Sequence, residues 1–571
     1  MNNLLLHLKI LFSHISTQHK KLIFLNFILL VIASIAEVIS ISAIIPFLSI
    51  ISKGEYSVSS LALSKALKFI FQFDKFLILF FFIASVLSAA ILKAILLYTS
   101  TRIAFIIGND LSTNVYKKII YQNYLFFTQH KSSDIINAVT FKTTNIIYQV
   151  ITPLISIVSS IVLIFFIIVL LFLVDPFISL FSFLIFAIIY SFIVLLVKKR
   201  LGRYSKLISN YSSLIVKFIQ ESFANIREII IASQQEKEIK IFSEANLELR
   251  KAQAFSGFVG NVPKIFVESF TLIAFASIAY IYLELNKSNI NLIPIFGALA
   301  LGAQKILPLI QNIFLSYTYI QTTKDSLKDI NYYLNLKIPL SNNAKKIKFL
   351  KFIRFESLSF AYEGKKNILD DIDFQINAGD KIGLIGDSGS GKSTLIDIIS
   401  GLLMPSSGRI IVDNKKLNFR DINLFKKNVS LISQGFYINN LSILENLCFG
   451  SESLGSKSRE TLNKKAEKIL RICNCDFINC IYENFGENAI KLSGGQRQRL
   501  AIARGLMRDA DIYIFDEATS AIDNKNEEII LKNIFNYLNK KTCIFISHNK
   551  SSLKHCNKIF SIKSNKIIQI K

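Results

Sequence analysis

Apolar positions form long, nearly unbroken runs through the first part of the chain and only short ones after about residue 350. Six stretches, near 22–50, 76–99, 147–173, 177–197, 264–285 and 290–316, carry the ~20 apolar residues that a helix needs to cross a hydrocarbon core. An even number of crossings places both termini on one side. The connections at about 100–146 and 198–263 keep helical apolar spacing, mix in polar residues and contain few Gly or Pro. That pattern predicts long helices running out of the bilayer, because structureless connections of such length are unusual in a compact protein. Val174-Asp175-Pro176 and Glu284 to Asn291 read as short external turns, and residues 51–75 as a longer external segment. Within it, Leu63, Leu67 and Ile70 share one helical face while Ser64, Lys65, Lys68 and Gln72 share another. This is either a helix lying on the outer leaflet or a plain connector.

At NLKIPLSNNAKKIKFLK (335–351) the sequence turns polar and basic, and transmembrane-length runs stop. Short strand-like runs such as Lys381–Ile385 and Ile512–Phe515 then alternate with helical segments, the pattern of an α/β domain with a largely parallel sheet. The expected organisation is an all-α six-helix transmembrane domain over 1–334, a linker over 335–350 and an α/β domain over 351–571.

Composition agrees: 51% of the 571 residues are hydrophobic and 19% charged, too apolar for a soluble enzyme of this length. Basic residues choose the side. Lys20 and Lys21 precede the first span, and Lys198, Lys199, Arg200, Arg203 and Lys206 follow the fourth, so both termini are expected in the cytoplasm of a multi-pass inner-membrane protein. The net charge of +26 is accounted for by such segments beside anionic lipid, and no nucleic-acid partner is expected. The apolar stretch after Lys21 is too long for a signal-peptide core and ends without a cleavage pattern, so it reads as an anchor. Cys448, Cys473, Cys475, Cys480, Cys543 and Cys556 all lie in the C-terminal third. Their spacing lacks the paired C-x-x-C of a zinc site, and a cytoplasmic setting argues against disulfides.

The chemistry concentrates after the boundary. Gly386-Asp387-Ser388-Gly389-Ser390-Gly391-Lys392-Ser393 fits G-x-x-x-x-G-K-[ST], between the strand KIGLI and the helical run STLIDIISGLL that Ser393 and Thr394 open. Backbone N–H groups of such a loop curl around phosphates, Lys392 reaches the β- and γ-phosphates, and Ser393 is placed to ligate magnesium. Downstream, IYIF ends in Asp516 and Glu517; one acid suits a magnesium ion and the next suits polarising a water. The α/β domain over 351–571 is therefore expected to be an α/β P-loop nucleotide-binding domain that hydrolyses nucleotide, with ATP and Mg2+ as the implied ligands. Between the two lies Leu492-Ser493-Gly494-Gly495-Gln496, opening the helical run QRQRLAIARGLM, where N–H groups again suit a phosphate.

With LSGGQ the chain resembles the ATP-binding-cassette family, closely in its C-terminal part and loosely in its membrane part. The resemblance implies roles for four further residues. Tyr362 in FAYEGKKNIL matches the aromatic that stacks on adenine, and Gln434 in LISQGF the glutamine that senses magnesium and faces the membrane domain. Asp523 in SAID matches the aspartate loop that acts across a dimer, and His548 in FISHNK the switch histidine at the γ-phosphate. It also implies a homodimer in which the phosphate loop of one chain faces Ser493, Gly494, Gly495 and Gln496 of the other, with coupling helices near Asn123–Lys131 and Glu221–Glu228. Two departures stand out: Gly486-Glu487-Asn488-Ala489 lacks the second glycine of the usual Gly-Glu-x-Gly run, and no Arg follows His548.

Glu37, Lys93, Glu268, Gln304 and Lys305 interrupt apolar spans and are expensive in lipid, so they are expected to face a cavity or partner helices. A cavity with basic groups suits an anionic amphiphile; a Lys/Glu pair that merely joins helices is the plainer reading. Ile35–Ile50, Phe127–Thr140 and Pro263–Glu268 resemble the lipid-linked oligosaccharide flippases, which implies flipping of a polyprenyl-pyrophosphate-linked oligosaccharide. Lipid, multidrug and peptide exporters would share the nucleotide motifs. A channel or regulator that uses ATP as a ligand would be expected to lose Glu517 or His548.

Overall fold

In hydrocarbon a chain must satisfy its backbone polar groups within itself, so continuous apolar runs fold as helices. The computed structural model describes residues 2–43, 75–174, 176–285, 293–338, 347–362, 366–449, 459–486, 491–547, 553–563 and 565–571. The segment 59–73 lies outside them, as do Glu487, His548 and most of the Glu284 to Asn291 turn. The chain divides into two compact units, Met1–Gln122 with Gln129–Ile338, and Asn123–Thr128 with Pro339–Lys571.

The first unit is helical: α1 (Asn2–Ser13), α2 (Thr17–Ser42), α3 (Lys75–Ile120), α5 (Ser132–Asn137), α6 (Thr143–Ile146), α7 (Thr152–Val174), α8 (Pro176–Ala224), α9 (Ile226–Ile231), α10 (Gln235–Leu285), α11 (Ile293–Thr322) and α12 (Lys324–Asn335). The short α4 (Tyr124–Gln129) follows α3 and belongs almost wholly to the second unit. Two π-helical turns, Ala138–Lys142 and Ile147–Ile151, join α5, α6 and α7 into one run. At 1.5 Å per residue the 46 residues of α3 extend roughly 70 Å, over twice the ~30 Å of a hydrocarbon core, so much of that helix stands outside the bilayer. Among the described residues, three helices are long and apolar enough to cross a membrane: Thr17–Ser42, Phe76–Ile120 and Ser132–Phe172. Ile41, Leu163, Ile167, Leu170, Leu171 and Ile306, from α2, α7 and α11, form a buried core in this unit.

The second unit contains ten strands among its described residues, β1 (Phe352–Phe360), β2 (Leu369–Asn377), β3 (Lys381–Gly386), β4 (Ser407–Val412), β5 (Lys415–Lys416), β6 (Val429–Ile432), β7 (Ile512–Asp516), β8 (Thr542–Ile546), β9 (Lys558–Lys563) and β10 (Lys566–Gln569). They form an antiparallel sheet in the order β2-β1-β4-β5 and a six-stranded sheet in the order β10-β9-β3-β8-β7-β6. The latter is parallel except for its β9–β10 edge. Its central strands are apolar throughout because both faces are covered. Ile512, Ile514, Ile544 and Ile546 point into one core with the helix α13 (Lys392–Ile399), and Tyr513, Phe515, Cys543 and Phe545 into another. In that second core Phe515 and Phe545 stack at 4.5 Å against the helices α17 (Gly494–Met507) and α18 (Asn524–Tyr537), with α14 (Phe419–Phe425), α15 (Ile443–Cys448) and α16 (Arg459–Ile472) completing the unit. Cys473, Cys475 and Cys543 are buried free thiols.

Candidate functional site

Parallel strands direct ligands to their C-terminal ends, and in this sheet β8 lies between β3 and β7. Ile546 pairs with Leu384 on one side and with Asp516 on the other. The phosphate loop leaving β3 and the carboxylates closing β7 therefore flank the end of β8, the strand that leads toward His548.

The loop is preformed. Gly389 sits at φ +82° with nothing near where a Cβ would stand, so its backbone is open to a ligand. Lys392 Nζ donates to the carbonyls of Gly386 at 2.6 Å and Asp387 at 2.9 Å, folding the ammonium over the loop. Ser390 Oγ is buried without a partner, a polar atom suited to a bound phosphate oxygen. Ser393 and Thr394 begin α13, Ser393 exposed and Thr394 buried, and Asp387 and Ser388 lie open to solvent.

Glu517 adopts φ +48°, a left-handed conformation that costs a residue with a side chain ~1–3 kcal/mol and that clusters at functional sites. It is held there by its N–H donating to Ile546 O at 3.1 Å and by its carbonyl accepting from Ser520 N–H at 3.2 Å. Burial first, then the neighbouring Glu517, push the Asp516 carboxyl up, against the pull of Lys392. That surplus of negative charge is what a divalent cation would relieve.

Tyr362, half-buried, presents its ring edge-on to Phe360 at 5.0 Å and packs on the core around Leu369. Gln434 lies exposed two residues beyond β6, the strand beside β7. Ser493 caps α17 in a reciprocal pair: its Oγ accepts from Gln496 N–H at 3.2 Å, and Gln496 Oε1 accepts from Ser493 N–H at 2.8 Å. Ser493 and Gly494 are left exposed at the helix N-terminus. Asp523 caps α18, accepting from Asn526 N–H at 3.1 Å and from Asn526 Nδ2 at 2.8 Å, bonds that hold its carboxyl below the usual range.

The expected residues thus form two groups: the phosphate loop with Asp516 and Glu517 at the sheet ends, and the LSGGQ turn packed against the loop that leads to Asp523. Sequence reading missed Gln498, which links the members of the second group. For the membrane charges it anticipated a Lys/Glu pair joining helices, without saying which residues form it. Lys93 Nζ donates to both carboxylate oxygens of Glu37, at 3.1 and 3.2 Å, and Lys305 Nζ donates to Glu37 Oε1 at 3.2 Å. Glu268 does not join this cluster; it lies 3.8 Å from Lys264 on its own helix. Gln304 is exposed.

The comparisons with known proteins agree with this layout. The family description "ABC transporter transmembrane region" matches residues 22–301, and "ABC transporter" matches residues 369–520. The chain is 26% identical over 469 residues to an ATP-dependent lipid A-core flippase of Francisella tularensis subsp. tularensis, covering 80% of this chain and 75% of that one. It is 28% identical over 473 residues to the heterocyst differentiation ATP-binding protein HepA of a Nostoc species, covering 81% and 76%. A solved bacterial Atm1-family ABC exporter with ATP bound superposes with a TM-score of 0.80 over 96% of this chain and 94% of that one, at 16% identity. A helical membrane unit, a phosphate loop, an acidic strand end and the LSGGQ turn, in one chain with these matches, place it: the protein belongs to the ATP-binding-cassette transporters, an exporter whose ATPase is coupled to transport.

Proposed function

We propose that the protein flips or exports an anionic glycolipid, of the lipid-linked oligosaccharide class, across the inner membrane as a homodimer. The Glu37–Lys93–Lys305 cluster carries this reading. The Glu37 side chain is 9% exposed, whereas those of Lys93 and Lys305 are 59% and 50% exposed, so the acid is enclosed while both lysine side chains are half open. One acid against two bases leaves a net positive charge inside a segment where a central charge costs about 2.5–3.5 kcal/mol by insertion scales. A lysine pair with one positive charge in excess suits a phosphate or pyrophosphate better than a neutral drug. The flippase names of the relatives point to the same class.

The homodimer is supported by α9, a six-residue apolar turn without a buried residue, in which Ile231 is 84% exposed; a second copy would cover it. The site residues retain the roles read from the sequence. Glu517 orients the attacking water; Lys392 and the loop N–H groups hold the phosphates; Tyr362 holds the adenine. Ser493, Gly494, Gly495, Gln496 and Asp523 act on the partner's nucleotide, and His548 reads the γ-phosphate. Ser393, Gln434 and Asp516 are the oxygen donors that would hold magnesium, which supplies charge neutralisation at the phosphates when bound.

The test is ATP hydrolysis in proteoliposomes with and without a polyprenyl-pyrophosphate oligosaccharide. Glu517→Gln is expected to lower turnover by at least ~100-fold, and Lys93→Gln with Lys305→Gln to remove the stimulation by glycolipid and its change of leaflet. Stimulation that survives the double lysine change would sink the headgroup assignment; unchanged turnover in Glu517→Gln would sink the catalytic one.

A further inference from the structure

Gln498 lies one turn into α17, is 6% exposed and uses both ends of its amide. Nε2 donates to Ser520 Oγ at 3.0 Å, and Oε1 accepts from Ala521 N–H at 2.7 Å. Ser520 and Ala521 belong to the turn between Glu517 and Asp523. That turn also abuts the start of α17. A Cβ added at Gly495 would stand 2.9 Å from Ala521 O, and one at Gly494 3.7 Å from Ala521 Cβ, so the absence of a side chain at 495 permits the approach. The neighbouring residue ties the assembly to the turn after α16: Arg499 donates to Asn474 O, and Asn474 Nδ2 donates to Asn526 Oδ1 at 2.7 Å, next to the Asp523 cap.

From this geometry we infer that Gln498 is a positioning residue that clamps the Ser520–Asp523 turn to the LSGGQ turn, so that the two move as one rigid piece. The same turn begins at the strained Glu517, whose carbonyl accepts from Ser520 N–H. A displacement of the LSGGQ turn is thereby passed through Gln498 and Ser520 to the residue that orients the water. A buried amide with both ends satisfied specifies one arrangement, because leaving Ala521 N–H without an acceptor is costly. That the piece acts on a partner's nucleotide rests on the homodimer proposed above; the clamp itself does not.

The amide chemistry supplies a discriminating series. Gln498→Leu removes both bonds at similar volume. Gln498→Glu keeps the acceptor for Ala521 N–H, and the Ser520 hydroxyl can turn to donate to the new carboxylate, restoring the second bond. Full-length protein in proteoliposomes is expected to lose about tenfold in kcat on Gln498→Leu, with KM for ATP unchanged because the phosphate loop is untouched. Gln498→Glu is expected to recover at least about a third of wild-type kcat. If Gln498→Leu does not accumulate as folded protein, Gln498→Asn, one methylene too short to reach both partners, carries the same comparison.

A second readout counts ATP retained after free nucleotide is removed. Glu517→Gln is expected to retain ATP, and Glu517→Gln with Gln498→Leu to release it. Retention that persists in the double variant overturns the clamp. If Glu517→Gln alone retains none, the fault lies with the dimer reading, and the kcat series still decides. Wild-type kcat in Gln498→Leu, or a loss that Gln498→Glu does not recover, overturns the inference in either case.

Discussion

Two short helices, α4 and α9, follow the long helices α3 and α8, and they are built oppositely. In α4, Phe126 is 8% exposed and lies edge-on to Phe127 at 5.5 Å, and Leu125 packs on the core beneath the phosphate-loop helix. In α9 no residue is buried, although Ile226, Ile229, Ile230 and Ile231 give it an equally apolar sequence. The first turn is thus completed by its own chain. The second offers apolar surface that its own chain leaves bare, and exposed clusters of this kind mark interaction sites. Equal hydrophobicity with opposite burial separates a turn packed by its own chain from one left bare, the surface that the proposed second copy would cover.

The largest effect that would break this comparison is on α4. Phe126→Ala should cost about 3 kcal/mol, as an aromatic removed from a packed site, read as a lower Tm and faster protease cleavage within 123–128. Unchanged melting would mean that α4 is not held by its own chain. On α9, Ile231→Asp should leave Tm within the ~0.5 kcal/mol typical of surface changes, yet lower lipid-stimulated ATPase about tenfold, the equivalent of ~1.4 kcal/mol of lost apolar contact. A drop in Tm without loss of stimulation would remove the partner from the account.

The smallest effect is electrostatic and concerns the surroundings of α4. Burial, then Asp516, pushes the Asp397 carboxyl from 3.8 up to about 6. Burial, Asp397 and Tyr362 in turn raise the phenol of Tyr124. A carboxyl raised in the folded state binds more protons than it does unfolded, so its contribution is full below the unfolded value and is lost as pH rises through about 6. At pH 7.5, without nucleotide, the ionised Asp397 therefore opposes folding. Asp397→Asn should stabilise the protein there by at most ~1 kcal/mol after discount for solvent screening, and the gain should shrink as pH falls through about 6 and be gone by about pH 3, below the unfolded value of 3.8. Thermal melts at the two pH values check this, and a gain that is the same at both would remove Asp397 as its source.

Much of this protein is legible along the chain. The phosphate loop announces itself because strand, glycine loop and helix are contiguous, and the acids at 516 and 517 because they end an apolar strand. The individual membrane charges were visible for the same local reason. Their meeting was not: Glu37 is 56 residues from Lys93 and 268 from Lys305, and no periodicity within a helix reports which face a distant helix presents. Gln498 was hidden differently. It stands in a polar run, QRQR, that reads as a solvated face, and only the approach of Ala521 and Ser520 turns it inward.

The sequence by itself determined the helices, through apolar length against bilayer thickness; the alternation of strand and helix, through period; and the nucleotide motifs, through residue types at fixed local spacing. Tertiary structure alone decided which lysines share Glu37, that α4 is completed by its own chain while α9 stays bare, and that the LSGGQ turn is bound to the Asp523 loop. Propensity and capping act within a few residues, whereas these decisions depend on which surfaces fill one another's gaps once distant segments pack.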